Sequence, residues 1–153
     1  MKTRTILASL VFVLAGAALG LAGDESANLG TWKLNEAKSK FSPGATKNTT
    51  VVYAPAGDNM VKVTTDGTDG AGKPSHTEWT GKFDGKDYPV TGADYDSRSY
   101  IASGKHSLSM TIKKGGKVVA TGKVTVAPDG KSRTVVTTGD APSLNNTAYY
   151  DKQ

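Results

Sequence analysis

Few side chains in this sequence could support metal or redox chemistry, and they are scattered. The chain contains two histidines, His76 and His106, and no cysteine. Without cysteine it cannot form disulfides, zinc–thiolate sites or iron–sulfur clusters. His76 stands in an H-x-E pattern with Glu78, but a metal centre needs a third ligand, and the cysteine pair of zinc deaminases is missing. We therefore predict an exposed strand pair there, with no metal and no cofactor.

Signatures of catalysis are equally sparse. A nucleophilic serine would call for a G-x-S-x-G elbow, and the chain has none. The carboxylates best placed for acid–base chemistry flank turns, where aspartate is common for conformational reasons: Asp84, Asp87, Asp94 and Asp96. Asp66, Asp69 and Gly70 do not follow the spacing of a calcium-binding loop. We predict that the protein is not an enzyme, with a hydrolase that uses clustered carboxylates as a third hypothesis.

The first two dozen residues have the order of a secretory signal peptide. Lys2 and Arg4 precede an uncharged run of 16 residues, 6–21, and the small residues Gly20 and Ala22 at its end suit a cleavage site. A membrane-spanning helix needs about 20 predominantly apolar residues, which disfavours a permanent anchor. We expect residues 1–22 to be removed, and the processed protein to be periplasmic or secreted with no stable membrane anchor.

Composition restricts the remaining chain, residues 23–153, to one domain with a modest charge. Loss of Lys2 and Arg4 lowers the formal net charge from +5 to +3. Because the basic residues are interspersed rather than clustered, we predict no nucleic-acid partner. A chain of this size can bury enough surface for an independent hydrophobic core. Its oligomeric state stays open.

Apolar and polar residues alternate along the processed chain, as they do in β-strands. Short runs rich in valine and threonine are separated by turn-forming glycine, proline, aspartate and asparagine. Gly115-Gly116 predicts a tight hairpin turn, and Val118 is expected on the inner face of the strand after it. Tyr88-Pro89-Val90 is too short and too interrupted by proline for a central strand. Gly81 and Gly122, at inward positions, predict a close approach of other groups.

These runs predict an all-β domain of nine or ten antiparallel strands. Because the connections are short, an up-and-down meander is favoured, and closure into a barrel removes its exposed edges. A β-sandwich is the alternative fold. The inward side chains are of moderate size, so such a barrel can enclose a small cavity. From their faces we predict that the cavity is lined by Tyr53, Trp79, Phe83 and Met110.

Gly30 to Leu34 is predicted as the first strand. The stretch Gly30 to Asn35 reads GTWKLN and resembles the G-x-W signature that opens lipocalins and the wider calycin group. The segment Thr80 to Gly92 and the hairpin Lys114 to Val136 also resemble small exported bacterial proteins of unassigned function. The lipocalin resemblance implies a barrel in which the tryptophan closes one end and a basic residue from a late strand packs across it. Trp32 and Arg133 are the matching pair. The helix that lipocalins carry before the last strand has no counterpart here.

Two hypotheses on function follow, from different classes. The first is an exported, lipocalin-like barrel that binds a small apolar or amphipathic ligand. The second is a structural or interaction protein of the cell envelope or the secretome, with a filled core, no ligand and no catalysis. The volume of the barrel interior discriminates between them.

Overall fold

The computed structural model describes residues 25–153, so the predicted signal peptide lies outside the described residues. This part of the chain forms ten β-strands. Their bounds are β1 Gly30–Leu34, β2 Lys47–Pro55, β3 Val61–Thr68, β4 Pro74–Gly81, β5 Tyr88–Thr91, β6 Ser97–Gly104, β7 Ser107–Lys114, β8 Lys117–Val126, β9 Ser132–Gly139 and β10 Asn146–Lys152. Three short 3₁₀ helices accompany them at Glu25–Asn28, Glu36–Lys38 and Pro142–Leu144.

The strands form one closed antiparallel barrel with up-and-down topology. Each strand pairs with the next along the chain, and β1 closes the sheet against β10, with Trp32 opposite Lys152 and Leu34 opposite Tyr150. This confirms the predicted barrel over the sandwich. Closure leaves the shell without a free strand edge, which is the part of a sheet most prone to pair with other chains.

Alternation of side chains along each strand produces the core. Val61, Val63 and Thr65 of β3 are buried, whereas Lys62 and Thr64 between them are partly exposed. Nine of the ten strands contribute residues to the buried hydrophobic core, and β9 adds the partly buried Val135 that packs against it. Because successive side chains point to opposite faces, a period-two pattern is sufficient to fill the interior of a barrel.

The up-and-down topology gives the barrel two distinct ends. Connections 35–46, 69–73, 92–96, 115–116 and 140–145 lie at one end, which we call the open end. The turns at 56–60, 82–87, 105–106 and 127–131, together with the 3₁₀ helix Glu25–Asn28, lie at the other, which we call the closed end.

Two local predictions were wrong. Residues Tyr88–Thr91 do form a strand, which pairs with both β4 and β6, although each ladder is only two residue pairs long. Val118 is not inward but 44% exposed. The register shifts between Ile112, which lies opposite Ala120, and Lys113, which lies opposite Val118. Such a β-bulge reverses the alternation of side chains, so Val118 points to the outer face.

Within residues 25–153, no helix has the length and apolar character required to cross a bilayer.

Candidate functional site

A cavity of about 650 Å³ occupies the barrel interior and extends to the open end. Its lining includes Phe41, Gly70, Tyr95 and Leu144 from four different open-end connections, and no residue of the closed-end turns. The volume lies within the range of pockets that hold small organic molecules, roughly 300–1,000 Å³. The barrel therefore has an interior space with access from one side.

The lining changes character along the barrel axis. Val51, Val63 and Met110 supply apolar surface in the interior. Thr65 and Thr77, which lie nearer the open end, also line the cavity, and their hydroxyl oxygens are 2.6 Å apart. Apolar and polar side chains therefore share the lining, and the polar ones are more numerous towards the open end.

Two of the four predicted lining residues, Tyr53 and Met110, line the cavity. The other two, Trp79 and Phe83, do not. Their rings stack on each other at 6.2 Å between centroids, and Trp79 also makes an edge contact with Tyr100 at 5.0 Å. The prediction was wrong for this pair because facing inward does not distinguish a wall of the cavity from the aromatic cluster packed beneath it.

Trp32 and Arg133, the pair implied by the lipocalin resemblance, are in contact near the closed end. The guanidinium carbon of Arg133 lies 4.6 Å from the ring centroid of Trp32, within the distance of a cation–π interaction. The same carbon lies 4.7 Å from the ring centre of Tyr53 and 5.1 Å from that of Tyr150. Trp32 is fully buried and donates its indole N–H to the carbonyl oxygen of Asn28, 2.9 Å away. Arg133 also lines the cavity, so its guanidinium lies between the aromatic cluster and the empty space.

A second buried arginine, Arg98 on β6, also lines the cavity and was not singled out by sequence reasoning. Its Nη1 donates to the hydroxyl of Tyr100 at 3.1 Å, and its Nη2 donates to the hydroxyl of Tyr95 in the 92–96 connection. Its backbone carbonyl accepts a hydrogen bond from the indole of Trp79 at 2.9 Å. The available signal was an arginine flanked by tyrosines in the stretch DYDSRSYIA, in which Arg98 shares the inward parity of Tyr100.

Two of the phenol groups near these arginines, those of Tyr53 and Tyr150, are held in the neutral form. Burial is the main reason that the pKa of Tyr53 lies well above its ordinary value of 10.0, with a further contribution from the neighbouring Tyr100. Burial likewise raises the pKa of Tyr150 to about 12, although Arg133 acts in the opposite direction. At neutral pH the interior therefore contains hydroxyl groups and guanidinium groups but no phenolate from these two residues.

His76 and Glu78 belong to an ion-pair cluster of outward-pointing side chains on β3 and β4, and His76 also borders the cavity at the open end. Nδ1 of His76 is 2.6 Å from a carboxylate oxygen of Asp66, and Glu78 is 2.8 Å from the ammonium of Lys62. The hydrogen bond with Asp66 raises the pKa of His76 above 6.5, and the hydrogen bond from Lys62 lowers the pKa of Glu78. The side chains are about half exposed, so this is a solvated charge network.

Comparisons with known proteins add a likeness of fold. No protein-family model matches this chain, and no curated protein matches it. Among solved structures, the chain is similar to a redesigned β-barrel, mFAP1, bound to DFHBI, with a TM-score of 0.46 and 14% sequence identity. The match covers 83% of this chain and 96% of that one. The architecture of this protein, a closed ten-strand antiparallel barrel, follows from its own strand pairing, and its placement among the lipocalins stays a prediction.

Proposed function

We propose that this protein binds a small amphipathic organic molecule inside its barrel, and that it does so as an exported protein without catalytic activity. The observation that carries the proposal is the cavity of about 650 Å³ in a shell that is closed on all sides except one end. A filled interior was the requirement of the alternative function, an interaction protein with no ligand. The cavity favours the binding function.

The side chains that line the cavity support the same function. A ligand that enters at the open end would replace water along Val51, Val63 and Met110, and burial of apolar surface is the main source of affinity in such sites. Hydroxyl groups such as that of Tyr53 can orient its polar part. Since the strands hold these side chains, the site is largely formed before the ligand arrives, which reduces the entropic cost of binding.

Export is supported by the N-terminal pattern alone, and the proposal is therefore tested in two parts. Protein purified from its natural host should carry a co-purifying small molecule, visible by native mass spectrometry as an added mass that organic extraction removes. N-terminal sequencing of the same sample should begin after Ala22 or Gly23. An intact Met1 would contradict export, and an interior that takes up no small molecule would contradict binding.

The binding function can also be measured without knowing the ligand. Phenylnaphthylamine is a neutral aromatic dye whose fluorescence increases in apolar surroundings. We expect saturable binding with one site per barrel. The variant Ala120→Leu adds bulk at a buried residue that lines the cavity and should weaken binding, whereas Ile101→Leu, on the exposed outer face, should not. Equal affinity for both variants would place the dye on the surface and contradict an interior site.

A further inference from the structure

The cavity is lined by two buried cations that lack a carboxylate partner. Arg98 is 7% exposed and Arg133 is 2% exposed. Among the described side chains, residues 26–153, the ion pairs join other groups, and none involves either guanidinium. A buried charge without a counter-charge is costly, and proteins normally pair it or give it a function.

The hydrogen bonds within the barrel satisfy these arginines only in part. Nε of Arg98 has no hydrogen-bond partner in the structure, and neither do Nε and Nη1 of Arg133. The groups that do contact them are neutral: phenol hydroxyls in the case of Arg98, and aromatic ring faces in the case of Arg133. The interior therefore provides N–H donors and positive charge in excess of what its own groups accept.

The two cations converge on one place. Tyr100 accepts a hydrogen bond from Arg98, and its hydroxyl is 3.4 Å from that of Tyr53. The ring of Tyr53 in turn lies against Arg133. Both arginines thus adjoin the same tyrosine pair, and a ligand group beside this pair is exposed to the field of both charges.

We propose that the ligand is an amphipathic organic acid whose anionic group lies against Arg98, with Arg133 as the second cation. The proposal rests on the proposed binding function and specifies its ligand class. A carboxylate or sulfonate in the cavity would supply the missing negative charge and accept the second N–H of an Nη group of Arg98 through a charge-assisted hydrogen bond. The apolar part of the molecule would lie along Val51 and Val63.

The carboxylates that line the cavity at the open end indicate the direction of the acid. Asp69 and Asp94 line the cavity there, and Asp69 is fixed by accepting the backbone N–H groups of Ala71 and Lys73 at 2.9 Å. Two carboxylates disfavour an anion at the entrance. The acidic group therefore points inward, towards Arg98.

A matched pair of dyes tests the charge preference. Anilinonaphthalene sulfonate and phenylnaphthylamine share an aromatic body and differ by one sulfonate. We expect the sulfonate to bind on the order of tenfold to a hundredfold more tightly, the size of effect that hydrogen bonds to charged groups produce. Decanoate should also displace phenylnaphthylamine at lower concentration than decanol does, which needs no variant.

Variants assign the preference to the interior charge. Arg98→Met keeps a long apolar side chain and should abolish the preference for the sulfonate, while phenylnaphthylamine still binds. Lys117→Gln is the control, because it removes one positive charge from an exposed residue at the open end. This control should leave the preference unchanged.

The possible results separate the two proposals. If neither dye binds, the proposed function fails. If both dyes bind with equal affinity, the binding function stands and the acid specificity is overturned. A preference for the sulfonate that survives Arg98→Met, or that Lys117→Gln removes, would attribute it to the surface charge of a basic protein and would also overturn the inference.

Discussion

The two ends of this barrel differ in how the interior is filled. At the closed end, Trp32, Trp79 and Phe83 are nearly inaccessible to water, and their rings contact one another or a neighbouring aromatic or cationic group. At the open end, hydroxyl and carboxylate groups line an empty volume. The difference indicates that one half of the interior stabilises the fold and the other half is available for a ligand. Substitutions at the two ends should therefore have separable effects.

The largest effect should come from removing an aromatic ring at the closed end. Trp79→Ala deletes a ring that is 1% exposed and contacts Phe83, Tyr88 and Tyr100. We expect the free energy of unfolding to fall by about 3–5 kcal/mol, as for other large-to-small core substitutions. Urea denaturation followed by circular dichroism measures it.

Thr137→Ala, on the cavity wall, is the control for Trp79→Ala. This side chain is only partly buried and borders empty space, so the cost should stay within about 0.5 kcal/mol. Similar costs for the two substitutions would show that the ends do not differ in their contribution to stability.

The tight packing at the closed end predicts a smaller effect of adding one methyl group. A Cβ at Gly81 would lie 2.5 Å from the ring of Tyr88 and 2.6 Å from that of Trp79. Gly81→Ala should lower the free energy of unfolding by about 1–3 kcal/mol through overpacking. Gly104→Ala is the matched control on β6, because a Cβ there meets nothing closer than 3.7 Å. If Gly81→Ala unfolded at the same denaturant concentration as Gly104→Ala, close packing would not hold at this end.

At the cavity wall, one substitution should raise the free energy of unfolding rather than lower it. Arg98→Met removes a buried charge that lacks a counter-ion, and replacement of buried charged groups by apolar ones of similar size is often stabilising. We expect the ligand-free variant to gain about 1 kcal/mol in the free energy of unfolding, measured by urea denaturation of delipidated protein. A loss of stability would mean that the hydrogen bonds to Tyr95 and Tyr100 give Arg98 a structural role, as the aromatic cluster has.

The smallest effect concerns the solvated charge cluster around His76. Asp66 raises the pKa of His76, so the pair stabilises the fold when the imidazole is protonated. This contribution is fully present below pH 6.5, the ordinary pKa, and is lost as the pH rises through the higher pKa of the folded state. An NMR titration should place the His76 midpoint above 6.5, and Asp66→Asn should move it down. An unchanged midpoint in that variant would exclude Asp66 as the cause.

Much of the fold could be predicted from the sequence, because each strand of a barrel is recognisable from alternating apolar and polar residues followed by turn-forming residues. Residues 30–34 were predicted as the first strand with the bounds that the structure has. The position of Val118 could not be predicted, since a bulge changes register without a distinct residue pattern. The short strand at Tyr88 is held by pairing on both sides, which is a tertiary effect that overrides its weak local preference.

The site was less predictable, because the sequence pattern shows which residues face inward. Only the three-dimensional structure shows which of them line the cavity and which pack in the core. Tyr53 and Met110 were assigned to the wall, as the structure has them, and Trp79 and Phe83 were assigned there wrongly. Arg98 was overlooked because a single arginine in a polar strand is usually exposed. Its burial follows from the parity it shares with Tyr100, which only the closed sheet makes meaningful.

Closure of the shell by β1 and β10 has a consequence for how the molecule is made. The amide of Asn35 donates to the carboxylate of Asp151, a contact between groups 116 residues apart in the chain. Such distant contacts slow folding, because the chain between them loses conformational entropy before the stabilising contact forms. During folding, one side of β1 stays unpaired until β10 joins it. Residues 146–153 therefore close the whole domain, and a chain without them should self-associate rather than form a slightly smaller barrel.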